Sequence, residues 1–262
     1  MGVQFMQTLY VPSAHYKLVR ANNHFVYLQD AMNVIRHTDF AHISHEYDSK
    51  GSRNFWKFES LADGIEGQIS PVIGDILFNL NSCLDHIYNE MVKTFGKPES
   101  ASDYWPFASS HENWMKRRVE INARVGAEYL TALERYQFYR DSFEDPTSEP
   151  LICLHSLSKL DKHKRFPLTG LVDGAAVLIK PKDSSIPYHF LYVGRVNRNA
   201  VLAILDGDEV NVKPEIHMDI AFDEFVEGHG KFPTSQSVTD IMGQILIRVS
   251  IICRELGVSP IK

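Results

Sequence analysis

Apolar residues recur at helical spacing along most of the first 165 positions of the chain. The clearest segment is predicted to run from Pro71 to Phe95, with Gly96 ending it. Its broad apolar face contains Ile73, Ile76, Leu77, Leu80, Leu84, Ile87, Tyr88 and Met91. Further helices are predicted over Asn23–Arg36, from a Ser109 cap to about Tyr139 with a break at Gly126, over Leu151–Lys164 and over Val238–Leu256.

Two parts of the chain show strand patterns instead. HEYDSKGSRNFWKFE reads as a β-hairpin, because Trp56 and Phe58 alternate with polar residues after a polar turn with a glycine. Ala175–Phe222 reads as short strands that form a separate antiparallel sheet. The pattern predicts a mainly helical α+β protein with one domain over 1–262, a helical core at about 22–165 and 237–257, and a β insertion at about 170–228.

A stripe of polar residues lies opposite the apolar face of the Pro71–Phe95 segment. Asp85 lies beside it and shares a helical line with Asn81. Asparagine, serine and aspartate are poorer helix formers than the glutamate and lysine of an ordinary exposed face, which favours a buried polar network or a site. The solvated side of an amphipathic helix is an equally weighted alternative. The stripe consists of Asp75, Asn79, Ser82, His86 and Lys93.

A second polar cluster lies in LHSLSKLDKHKRF. Cations near the end of a helix complement its dipole, but that explanation does not account for the two histidines. A phosphate-bearing ligand or RNA would account for them. The candidate ligand-binding residues here are His155, Lys159, Lys162, His163 and Arg165, and we expect their helix to pack against the one that carries His86.

Composition narrows the classes of function. A net charge of −6 disfavours bulk electrostatic binding of nucleic acid, although a local basic patch is compatible with it. Cys83, Cys153 and Cys253 each lie in an apolar run and predict buried thiols in a reducing cytoplasm. No signal peptide, membrane span, metal-binding motif, P-loop or dinucleotide fingerprint is recognised, so neither a membrane location nor a cofactor is expected.

Three segments together resemble a group of uncharacterised bacterial proteins. These are GDILFNLNSCLDH, YWPF and PLICLHSLSKLDKHKR. The first is also similar to the R-x-x-x-x-H motif of the HEPN superfamily, α-helical proteins of which many are dimeric, metal-independent ribonucleases. The resemblance implies a HEPN-like helical bundle with His86 at the histidine position. The arginine position falls on Asn81, which carries no charge.

The resemblance and the polar stripe together suggest a HEPN-like protein that interacts with nucleotides or RNA. The most specific version of this hypothesis is a metal-independent ribonuclease. His86 would act as general acid and base, with Asp85 and Asn81 completing the catalytic group. Asn79 and the second cluster would hold the ligand, and a homodimer is expected. The alternatives are a non-enzymatic ligand-binding or homo-oligomeric structural module and, more weakly, a metal-dependent hydrolase.

Overall fold

The computed structural model describes residues 9–36, 41–108, 110–137, 149–161, 168–178, 188–191, 194–196, 199–208, 215–222 and 236–258. Helical residues outnumber strand residues in this part, which confirms a mainly helical α+β protein. The described helices are α1 (Pro12–Arg36), α2 (Ile65–Thr94), α3 (His111–Arg135), α4 (Pro150–Asp161) and α5 (Val238–Glu255). The described strands are β1 (Ala41–Asp48), β2 (Arg53–Leu61), β3 (Leu168–Leu178), β4 (Tyr188–Leu191), β5 (Gly194–Val196), β6 (Val201–Asp206) and β7 (Glu215–Phe222).

The chain divides into two compact units. The first draws on residues 1–27, 71–164 and 241–262, and the second on residues 28–70 and 165–240. The first unit holds most of the helical residues, and all seven strands belong to the second. None of the described helices is long and apolar enough to cross a membrane.

Two helices begin earlier than the sequence pattern predicts. α1 begins at Pro12 rather than Asn23, and a proline fits a first helical turn because its missing N–H would have no partner there. The buried residues of the added turns include Ala14 and Ala21, which are too small to stand out in a search for large apolar side chains. α2 begins at Ile65, so Pro71 lies inside the helix instead of opening it.

The predicted break at Gly126 is confirmed. Gly126 has φ of 79° and ψ of 169° within α3, outside the helical region. A Cβ atom there would also meet the ring of Phe95 at 2.6 Å, so only glycine fits the site. The predicted Ser109 cap of this helix is wrong by one position, because the Ser110 hydroxyl accepts the hydrogen bond from the Asn113 amide.

The ends of α5 follow the prediction closely. Ser237 and Asp240 form a reciprocal capping box, in which the Asp240 amide donates to the Ser237 hydroxyl and the Ser237 amide donates to the Asp240 carboxylate. Gly257 has φ of 69° just after the helix, and the Val258 amide donates to the Cys253 carbonyl to close the C-terminal end.

The hairpin prediction is confirmed, and a small separate antiparallel sheet is present as predicted. The expectation that all strands of the β insertion belong to that separate sheet is wrong, because β4 and β6 join the hairpin. β1 pairs with β2, and β2 continues into a four-stranded sheet of order β1-β2-β6-β4. A second sheet has the order β5-β3-β7. A lone two-stranded hairpin is marginal and leaves a strand edge unpaired, so β2 gains from pairing with β6.

One residue of the second sheet departs from simple alternation. The pattern of β7 predicts an outward-facing Asp219, yet this residue is buried. Its carboxylate accepts a hydrogen bond of 2.5 Å from the Arg36 guanidinium, and a buried charge requires such a partner.

Candidate functional site

Asp85 fastens the aromatic-proline loop to α2. Its carboxylate accepts a hydrogen bond of 2.9 Å from the backbone N–H of Trp105, in the YWPF segment. A charged carboxylate accepts a strong hydrogen bond from a backbone amide, so this bond fixes the position of the loop. The remaining polar groups of the loop backbone need partners of their own. Asp85 therefore has a structural role that the sequence did not reveal.

Asp103 anchors the same loop from its other end. This buried carboxylate pairs with the Arg124 guanidinium of α3 and accepts from the Ser100 amide at 2.7 Å. Asn89 of α2 donates to the Asp103 carbonyl at 3.3 Å. We call Asp85, Asn89, Asp103 and Arg124 the loop-anchoring network, because each of the four binds the loop or belongs to it.

α2 and α4 contact each other at Asn81. The Asn81 side-chain amide donates to the Ser158 hydroxyl of α4. This confirms the predicted contact between the two histidine-bearing helices. The predicted ligand-binding residues Lys162, His163 and Arg165 lie outside the described residues.

The remaining predicted ligand-binding residues lie in different environments. Asn79 is buried and donates to the Asp75 carbonyl one turn earlier at 2.7 Å. His155 of α4 is half-buried, with its ring 4.8 Å from that of Phe107 in the loop. Lys159 is exposed on α4.

His86 lies on the side of α2 that faces α1. Phe78 is 60% exposed on that side, and the Lys17 ammonium of α1 lies 4.8 Å from the centre of its ring. At 100° per residue, Phe78, His86 and Lys93 fall within about 80° of one another around the helix. We call Lys17, Phe78, His86 and Lys93 the His86 strip.

The environment of His86 favours its neutral form. Partial burial lowers the pKa of the half-buried imidazole, and the positive charge of Lys17 lowers it further. The negative charge of Asp85 raises the pKa of His86, and the positive charge of Lys93 lowers it. The Lys93 ammonium is also paired with the Glu99 carboxylate at 2.6 Å. The ring is therefore unprotonated at neutral pH and can accept a proton.

The structure divides the residues that the sequence grouped as catalytic. Asn81 and His86 are five positions apart, which places them about 140° apart around a helix. Asn81 accordingly contacts α4, while His86 faces α1. Asp85 lies between them and holds the loop.

Sequence reasoning missed Lys17 and Phe78. Lys17 lay outside the predicted helix, since α1 was expected to begin at Asn23. The helical spacing that would have placed Lys17 in a helix is present before Asn23. There, buried residues continue toward the N-terminus the series of the predicted helix, at Val11, Ala14, Ala21, Leu28, Met32 and Ile35. Counting the alanines as core positions would have extended the helix over Lys17.

Among the residues that the structure describes, no three His, Cys, Asp or Glu side chains come together as metal ligands. Comparison of the chain with family models, with curated proteins and with solved structures gave no match.

Proposed function

We propose that the chain is a HEPN-like protein of the bacterial cytoplasm that interacts with RNA or nucleotides, and that the His86 strip is where it does so. The observation that carries this proposal is the exposed ring of Phe78 under the Lys17 ammonium, on the same side of α2 as a neutral His86. Exposed aromatic rings stack on bases without regard to sequence, and lysine attracts phosphate.

The strip suits single-stranded RNA better than duplex. Unstacked bases can lie on an aromatic ring, whereas bases inside a helix cannot reach one. Phe78 and His86 are eight residues apart, which is about 12 Å along α2. A strand stacked at Phe78 would thus bring a neighbouring phosphodiester and ribose toward the imidazole.

His86 would act as the general base in a metal-independent cleavage. The neutral ring takes the proton of the ribose 2′-hydroxyl, whose oxygen attacks the adjacent phosphorus as the 5′-oxygen of the next nucleotide leaves. That leaving oxygen takes a proton from the resulting imidazolium or from water. Lys17 would stabilise the negative charge that develops on the phosphate. It would thereby take the part that the HEPN motif gives to an arginine at the position of Asn81.

The test uses a fluorescent single-stranded RNA in the presence of a chelator. His86→Ala should reduce cleavage by about 10²–10⁴-fold without changing the fold, because a general base is lost. Phe78→Ala should weaken RNA binding by about 1–3 kcal/mol for one lost stacking contact. Lys50→Ala, in the exposed β1–β2 turn, is the matched control and should change neither property.

A specific observation also favours a second candidate, the non-enzymatic ligand-binding or structural module. Asp85 and Asn81 both make hydrogen bonds that hold other parts of the protein, to Trp105 and Ser158. If the RNA binds but stays intact, and Phe78→Ala still weakens binding, the binding module is correct. An intact wild-type protein that neither binds nor cleaves RNA would overturn both uses of the strip.

A further inference from the structure

An open groove lies between α1 and α5, and all the residues that line it belong to the first compact unit. Its volume is about 580 Å³, which is in the range of sites that hold small organic molecules. The described walls contain no aromatic side chain. They contain five aliphatic ones, those of Leu18, Val19, Leu246, Ile247 and Ile251.

Several of these aliphatic side chains are open to solvent. Ile247 is 62% exposed and Val19 is 42% exposed, whereas Leu246 is buried. Exposed apolar side chains that are gathered in one groove, rather than scattered singly, are typical of a binding surface. A ligand that covers them removes apolar area from water, which favours binding.

The two helices set the shape of the groove. A Cβ atom at Gly243 would lie 3.2 Å from the ring of Phe25, so α1 and α5 approach closely at that point. From there the groove follows α1 toward its start and α5 toward its end, between Leu246 and Arg254. These eight residues span about 12 Å of helix. An extended aliphatic chain suits this length and lining, whereas a flat aromatic ligand would find no ring to stack on among the described walls.

A cation lies at the end of the groove. Arg254 is exposed in the last turn of α5 and forms no ion pair with any other residue that the structure describes. A guanidinium binds a carboxylate through two parallel hydrogen bonds. The Ser250 hydroxyl, between Leu246 and Arg254, already donates to the Leu246 carbonyl at 2.7 Å, so the wall there stays largely apolar.

We propose that this groove binds a medium-chain fatty acid, with the alkyl chain between α1 and α5 and the carboxylate at Arg254. The aliphatic walls account for the chain, and the charge of Arg254 selects an acid over a neutral alcohol or an ammonium of the same length. This inference does not rest on the proposed RNA function, which concerns the side of α2 that carries His86.

Titration calorimetry of the full chain with three ligands of equal chain length tests the head group. Octanoate should bind more tightly than octanol, and octyltrimethylammonium should bind least, all below the concentrations at which they form micelles. Arg254→Gln should weaken octanoate about tenfold, because one charge-assisted contact is lost, and should leave octanol unchanged. Arg118→Gln, at an exposed position of α3, is the matched control and should change neither ligand.

A second variant tests the chain-binding wall. Ile247→Asp places a charge among the aliphatic side chains and should abolish binding of both octanoate and octanol, while its exposed position leaves the fold intact. Val119→Asp, at a valine of α3 that is 79% exposed, is the matched control and should bind both ligands as the wild type does. The proposal is overturned if the wild type does not bind octanoate, or if it binds octyltrimethylammonium equally well. Unchanged octanoate binding by Arg254→Gln or by Ile247→Asp would overturn it too.

Discussion

Asp85 and His86 are neighbours in the sequence but face different parts of the molecule. Asp85 joins the loop-anchoring network and holds the Trp105 amide, whereas His86 lies in the strip beside Lys17 and Phe78. Successive residues on a helix point about 100° apart, so one can hold the loop while the next faces α1. The comparison shows that an adjacent aspartate and histidine need not act as a pair.

The largest effect on stability should come from the buried end of the network. Asp103→Ala removes the partner of Arg124 and the acceptor of the Ser100 amide, and should lower the free energy of unfolding by about 3 kcal/mol. Urea unfolding of the purified variant measures this. Asp103→Asn, which keeps one acceptor oxygen, should lose less, and an Asp103→Ala variant as stable as wild type would show that the loop is held elsewhere.

Asp85→Ala should have the next largest effect. It leaves the Trp105 amide without its carboxylate partner, at a cost of about 2 kcal/mol in unfolding free energy. Asp85→Asn preserves an acceptor and is the matched control. If both substitutions reduce RNA cleavage by the same factor while stability stays unchanged, Asp85 belongs to the site and the division between the two regions fails.

Asn81→Ala should cost about 1 kcal/mol, the usual net contribution of one hydrogen bond. The Ser158 hydroxyl is half-buried and can be partly rehydrated. Ser158→Ala should have a similar effect, and the double variant should lose no more than either single change if the two side chains act only through each other. Additive losses would mean that they do not depend on each other.

The smallest expected effect is the pH dependence that His86 contributes. Its pKa is lowered in the folded state, so the unfolded chain binds a proton more readily as the pH falls below about 6.5. The free energy of unfolding should therefore fall as the pH is lowered through that range for the wild type, and fall less steeply for His86→Gln. Identical slopes between pH 7.5 and the folded-state pKa would show that the environment of His86 does not shift its titration.

Much of the helical core could be predicted from periodicity, because long apolar faces such as that of α2 have few alternative structures. The capping box at Ser237 and the glycine at position 126 could be predicted because their chemistry is local. The division of the site could not be predicted. It depends on which helix lies on each side of α2, and the spacing of residues within one helix carries no information about its neighbours.

The most direct test of the account compares His86→Ala with Asp85→Ala in the same two assays, RNA cleavage in a chelator and urea unfolding. We predict that His86→Ala loses about 10²–10⁴-fold in cleavage with an unfolding free energy within about 1 kcal/mol of wild type. Asp85→Ala should lose stability while the molecules that remain folded cleave at the wild-type rate. Full cleavage by His86→Ala, or loss of cleavage confined to Asp85→Ala, would contradict the account.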